Sequence, residues 1–275
     1  MSPPFSIRRV GLIARNTIRE AVRQRLFNFI ALLAVGFVVG AQWLCELNFG
    51  ASELKFIADI GFGAIGFFGS ALTIIATGQL FFSEIEHRTV FTLLAKPLQR
   101  SEFIMGKWVG IAFVPACFCA VLTLLLILVL WSRETMLMND SPGAFTHGRA
   151  VGYLAVLAGG FAQWLKLGLL AVLTLLVASF ARTQLFTTAT GFMFLLMGHL
   201  NFLAEAAGQR GGISAAIANL TTLALPNFQL FDFSEALGAG DLIPWGQLGR
   251  ITVYATGYGG AVLGLAVFAF RRREL

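Results

Sequence analysis

Six long apolar runs separated by short polar segments dominate the 275-residue chain. A bilayer core about 30 Å thick needs roughly 20 apolar residues per helix. Laid along the sequence, that ruler marks spans at 26–45, 60–82, 108–131, 165–181, 185–203 and 251–270. The expected fold is therefore all-α: one polytopic membrane domain over residues 1–275 with six transmembrane helices. The third span has an indole at each end, Trp108 and Trp131, placed as interfacial anchors, and Pro115 is expected to kink it.

The stretch from Val151 to Ala181 is too long for one untilted crossing and contains Lys166. One reading makes it a single tilted helix with a functional lysine. The other, preferred here, puts Val151 to Trp164 in an external interfacial helix and starts the crossing near Leu165. Lys166 would then snorkel to the outer headgroups.

Ahead of the first span, residues 7–25 carry helical periodicity. Ile7, Val10, Gly11, Ala14, Ile18 and Ala21 form one stripe, with Arg8, Arg15, Arg19 and Arg23 opposite; Leu12 and Ile13 interrupt the pattern. Such an amphipathic helix lies flat on the inner leaflet, its arginines near anionic lipid or a docked protein. The plainer reading is a positive-inside anchor for the first span. A cleaved signal peptide is not expected, because the apolar run is as long as a full span and no small-residue cleavage site precedes Trp43.

Composition agrees with the patterning: 57% hydrophobic residues, 12% charged and a mean hydropathy of +0.79 exclude a soluble domain of this length. The net charge of +6 does not point to nucleic acid, since the basic residues gather beside the spans. On the six-span reading, 14 of the 20 Lys and Arg fall on one side. The positive-inside rule then puts both termini in the cytoplasm. Cys45, Cys117 and Cys119 lie in or beside apolar runs, are odd in number, and do not make a disulfide framework.

Between the second and third spans lies the charged segment 83–107, SEIEHRTVFTLLAKPLQRSEFIMGK. Ser83 with Glu86 has the form of a capping box and Glu84 to Arg88 is a favourable i,i+4 pair, so a short helix is expected to start there. Pro97 should end it near Ala95, and Ser101 with Glu102 signals a second start. On the opposite side, the external segment 204–250 contains LPNFQLFDF, Leu225 to Phe233. Its alternating aromatics suit a segment resting in the outer interface. It is read as a plain interfacial helical pair in preference to a gate over an exit path.

Motifs for chemistry are missing: the sequence has no phosphate loop, no zinc-protease helix, no paired Cys-x-x-Cys and no nucleophile elbow. Glu84, Glu86 and His87 do not share one helix face, so no metal site is assigned. Lys166, His199 and Asn201 are polar groups at membrane depth and candidates for a pathway, with a local interhelical hydrogen bond as the alternative. Gly61, Gly63, Gly66 and Gly69 would permit close approach at a helix interface.

The segment Glu84, Glu86, Arg88, Thr89, Leu93, Leu94, Lys96, Pro97, Arg100, Phe103, Gly106 and Lys107 follows E-x-E-x-R-T-x-x-x-L-L-x-K-P-x-x-R-x-x-F-x-x-G-K. In this motif, the arginine-rich entry helix, the LPNFQLFDF segment and the terminal FRRREL, the chain resembles the permease subunits of type-2 ABC exporters. The likeness is strongest to the branch labelled multicopper-enzyme-maturation permeases. Many relatives carry glycine where Arg88 stands, which bears on the turn at that point. The resemblance implies a transport permease rather than an enzyme. It implies a coupling helix whose Glu84, Glu86, Arg88, Thr89, Phe91, Leu93, Leu94 and Lys96 meet a separate cytosolic ATPase, expected in two copies. ATP and magnesium would be bound by that partner, and a second permease copy or paralogue would complete the passage. A secondary transporter would need inverted repeats and intramembrane carboxylates, and neither is evident. A non-transporting scaffold within an ABC-like complex would need the same cytosolic handle.

Overall fold

The computed structural model describes residues 6–44, 52–86, 99–140, 151–199, 226–232 and 245–272, and among these every regular element is helical. Two helices joined at Gln24 open the chain: α1 (Ile7–Arg23) and α2 (Arg25–Gly40), bent by 66° to each other. Gln24 is extended, with φ −75° and ψ 117°. A straight continuation would align the arginine face of α1 with the apolar cylinder of α2, so the break falls where the chain changes from amphipathic to wholly apolar. Four further helices follow a common course: α3 (Glu53–Glu86), α4 (Arg100–Asp140), α5 (Tyr153–Phe180) and α6 (Gln184–His199). A 3₁₀ turn, Phe228–Phe231, precedes α7 (Trp245–Arg272).

Four of these, α3, α4, α5 and α7, are long and apolar enough to cross a membrane, and the bent α1–α2 pair makes a fifth if taken as one span. Of the fifth expected span, 185–203, the described part, α6, has 16 residues. Apolar side chains point outward in quantity, among them Leu32, Leu124, Leu128, Val253 and Leu265. A surface so continuously apolar belongs in hydrocarbon rather than water.

At the hub stands α5, packed against α3, α4, α6 and α7. Of its most apolar window 72% is buried, against 28% for α7, so α7 is peripheral and α5 central. Small residues set the α3–α4–α5 spacing. A Cβ on Gly69 would lie 2.7 Å from Leu167 Cδ1, and one on Gly159 would lie 2.7 Å from the Phe62 ring, so neither tolerates a side chain without displacement. Leu126 likewise fills the space over Gly61. The helix interface expected at Gly61 and Gly69 is thus one within the chain. Several buried hydroxyls return their hydrogen bonds to their own helices, as from Ser70 to the Gly66 carbonyl (2.6 Å) and from Thr174 to that of Leu170 (2.8 Å).

Three sequence expectations change. Ser83 does not open a new helix, because α3 runs unbroken through it to Glu86 and its hydroxyl donates backward to the Leu80 carbonyl (3.4 Å). The preferred division of 151–181 is replaced by a single 28-residue helix, α5, which passes Trp164 without a break. Its glycines and its neighbours on every side let the whole run bury as one piece. Trp108, expected as the interfacial edge of its span, stands eight residues inside a helix that begins at Arg100, as the Ser101–Glu102 signal implies, and its indole Nε1 is buried with no partner among the described residues.

Candidate functional site

At the end where α3 finishes and α4 begins, the two helices are locked on either side of residues 87–98. Lys107, fully buried on α4, donates from Nζ to the Leu80 carbonyl of α3 at 2.6 Å. Phe81, Phe103 and Phe270 form an aromatic triad across α3, α4 and α7, with centroids 6.2, 6.0 and 5.5 Å apart. Arg100 adds a 2.8 Å hydrogen bond to the Arg271 carbonyl of α7.

Onto this base α1 is docked. A Cβ on Gly106 would lie 2.7 Å from Ile13 Cβ, and one on Gly110 would lie 2.6 Å from Thr17 Cβ, so two glycines one turn apart receive two α1 residues one turn apart. The packed stripe is Ile13, Ala14, Thr17 and Ala21, rotated from the one read in the sequence. Ile7 and Gly11 are exposed, and Ile13, which interrupted the pattern, is the contact. The rotation follows from the partner: the stripe faces a protein groove, not lipid alone. Arg8, Arg15, Arg19 and Arg23 are exposed, as a charged outer face requires.

The first turn of α4 carries a carboxylate that sequence reasoning read only as a helix-start signal. Glu102 is 0% exposed, pairs with Arg9 Nη2 at 3.0 Å, and accepts from the backbone N–H groups of Ser6 (2.7 Å) and Gln99 (3.2 Å). Glutamate near a helix N-terminus is favoured by the unsatisfied N–H groups there. Here the same group also clasps the start of α1. Glu84 and Glu86 lie on the last turn of α3. Arg88, Thr89, Phe91, Leu93, Leu94 and Lys96 fall outside the described residues, so the segment expected to act as the coupling helix is represented by its two anchored ends.

Toward the other end of the bundle, a cavity of about 420 Å³ opens between α3, α5, α6 and the 3₁₀ turn. Lys166, midway along α5 and only 7% exposed, sits on its wall with Nζ 3.1 Å from His199 Nε2. His199 Nδ1 lies 2.9 Å from the Leu195 carbonyl, which can only accept, so Nδ1 carries the proton and Nε2 accepts from Lys166. Lys166 therefore faces a protein cavity instead of snorkelling to a headgroup layer. The sequence named both residues but could not pair them, since 33 positions separate them. Asn201 lies outside the described residues.

The 3₁₀ turn is part of this cavity's frame. Phe228 and Phe231 are 1% and 0% exposed, so two rings anchor the turn in the bundle while Gln229 and Leu230 remain exposed. Asn227 caps the turn through Gln229 N (2.9 Å), and Gln229 Nε2 reaches the His199 carbonyl (3.2 Å). Asp59 and Asp232 line the same cavity, as does Gln163, one turn from Lys166. Sequence reasoning missed all three. For Gln163 the signal was present: a polar residue three before an intramembrane lysine shares its helix face.

This arrangement is a membrane bundle with the facing ends of α3 and α4 braced together and a polar pocket within. A family model described as ABC-2 family transporter protein matches residues 12–231. The chain belongs to the ABC-2 transporter family. It is also 25% identical, over 97% of its length and 99% of the other's, to the "Probable ABC transporter permease protein NosY" of Pseudomonas aeruginosa (strain PAO1). The match to the ABC-2 family covers α2 to α6 entire, most of α1 and the 3₁₀ turn, and so takes in both the braced helix ends and the cavity. As a member of that family, the chain is a multi-span membrane permease component.

Proposed function

We propose that this chain is the membrane-spanning permease subunit of an ATP-driven exporter in a prokaryotic cytoplasmic membrane. Both termini and segment 83–107 face the cytosol. There Glu84, Glu86 and Arg88 make charge contacts to a separate ATPase, while Thr89, Phe91, Leu93, Leu94 and Lys96 complete the docking helix. Two ATPase subunits bind ATP and magnesium and act on two permease copies, or on this chain and a paralogue. The exposed arginines of α1 lie against anionic lipid.

The observation that carries this reading is the Lys107–Leu80 bond with the Phe81–Phe103–Phe270 triad beneath the loop. A push on a loop does work on a bundle only if the loop's two ends move with their helices. A ligand shifts a two-state equilibrium only through a difference in how it binds the two states. A loop free to flex would absorb the ATPase stroke. One clamped to α3, α4 and α7 passes it on.

The test is a gentle-detergent purification of the tagged chain from its own membranes, with mass spectrometry of co-eluting proteins and an ATPase assay. A Walker-type ATPase should co-purify and be lost on Glu84→Lys with Glu86→Lys. Retention of the ATPase and of its turnover in that double variant would overturn the docking assignment. Recovery of the chain alone would favour the scaffold reading.

A further inference from the structure

The cavity between α3, α5 and α6 is built for a ligand in three respects. It is elongated, running along α3 from Asp59 to Ser70, about 16 Å at helical rise. Its wall opposite Lys166 is Gly66, where an added Cβ would be 3.9 Å from Lys166 Nζ and 3.5 Å from Gln163 Oε1. Such a Cβ would already touch both polar groups, so the glycine leaves beside them the space that a side chain would take. Finally, Gln163 is 4% exposed and its Oε1 has no hydrogen-bond partner among the described residues, although a buried amide oxygen left unmade is costly.

The donor and acceptor inventory defines what would fit. Lys166 has three N–H donors, of which His199 Nε2 takes one. Asp232, which lines the same cavity, is the carboxylate whose charge reaches it without closing to ion-pair distance, and Asp59 stands on the α3 wall. Two cationic donors and one amide acceptor therefore converge on the same space over Gly66. A dehydrated ammonium with two open donors calls for an oxyanion. The Gln163 oxygen calls for an N–H or O–H on the same molecule. Phe62, Phe67 and Leu195 supply apolar wall for a short carbon skeleton.

We propose that the Lys166–Gln163–Gly66 cavity binds a small organic oxyanion that also carries a hydrogen-bond donor, the pairing found in amino acids and hydroxy acids. That this ligand is cargo rests on the permease reading; that it binds does not. Lys166 holds the anionic group, Gln163 accepts from the neighbouring donor, and Gly66 leaves the room for both. A monoprotonated phosphate ester shares this chemistry, whereas an uncharged amphiphile does not.

The test uses the full chain in native membrane vesicles and leucine carrying a side-chain diazirine, compared with its methyl ester, which lacks the anion. After irradiation, the acid should label the α3 peptide from Phe62 to Ser70 at least ten-fold more than the ester does. Lys166→Met should abolish the difference, Lys166→Arg should keep it, and Gly66→Leu should block labelling by filling the cavity. Equal labelling by acid and ester would overturn the proposal. So would acid labelling unchanged in both Lys166→Met and Gly66→Leu, each compared at equal abundance in the membrane. Loss of ATPase co-purification with labelling intact would remove the cargo role and leave the site. The reverse pattern would remove the site and leave the permease.

Discussion

The Lys107 ammonium and the Leu80 carbonyl, 27 residues apart in the chain, meet at 2.6 Å inside the protein and close the ring formed by the ends of α3 and α4. The carbonyl lies within an α-helix and also accepts from the Ser83 hydroxyl, so Lys107 adds a further and shorter bond to it. Lys107→Met keeps the apolar stem and removes the donor. The expected cost is about 1–3 kcal/mol, typical of a lost buried charge-assisted hydrogen bond. It should appear as a lower unfolding midpoint in detergent. If the loop transmits an ATPase stroke, the same variant should bind the ATPase normally while ligand-dependent turnover falls.

A different failure is expected at the α1–α4 contact. Gly106→Val places methyl groups where Ile13 Cβ already lies within 2.7 Å of any added Cβ, and Val10's carbonyl lies at 3.0 Å. The backbone must separate, at a cost of about 1–3 kcal/mol for overpacking. Trypsin should then cut α1 at Arg15 or Arg19 faster than in the parent chain, with the spans still protected. Unchanged cleavage would mean that α1 is not seated on Gly106.

Glu102 should be far more sensitive than its position at a helix start suggests. Removing the carboxylate with Glu102→Ala strands the Arg9 guanidinium and the Ser6 and Gln99 N–H groups together. A loss of roughly 3–5 kcal/mol is the scale for breaking one side of a buried pair. Glu102→Gln, which keeps an acceptor oxygen, should recover a good part of it. Thermal unfolding of the two variants side by side reads the difference.

Adjacent residues at the opposite end of α4 make a contrast. Arg133 pairs with Glu53 at 2.8 Å, but both side chains are about a third exposed, at 30% and 32%. Arg133→Ala should therefore change stability by about 0–1 kcal/mol. Glu134, 1% exposed, accepts from the Tyr153 hydroxyl and from Val151 N (3.1 Å), tying α4 to the start of α5. Glu134→Ala should exceed the Arg133→Ala effect several-fold, measured by the same unfolding assay.

Much of the architecture was legible because hydrophobic run length is a direct physical demand of the bilayer. The break at Gln24, the course of α7 and the arginine face of α1 follow from local composition. What escaped the sequence was set by partners. Which α1 residues face inward depends on Gly106 and Gly110 of another helix. Ser83 looked like a cap because its neighbours had capping spacing, yet α3 was long enough to pass through it. Lys166 was read as snorkelling because one chain position does not reveal that Gly66 lies across from it, with His199 brought alongside. Phe228 and Phe231 looked interfacial by pattern, and their burial is explained by partners, Phe228 beside His199 and Gly198 and Phe231 against Tyr254.

The joint between α1 and α2 is tied to α3 by one side-chain bond, Gln79 Nε2 to Gln24 Oε1 at 3.0 Å. Both partners are uncharged amides, so ionic strength and acidity leave this tie untouched. If the arginine face beside it lies on anionic lipid, as proposed, it behaves in the opposite way, since such a hold fades within a screening length of about 8 Å at physiological salt. High salt should thus release α1's outer face from the bilayer while the 66° elbow keeps its angle.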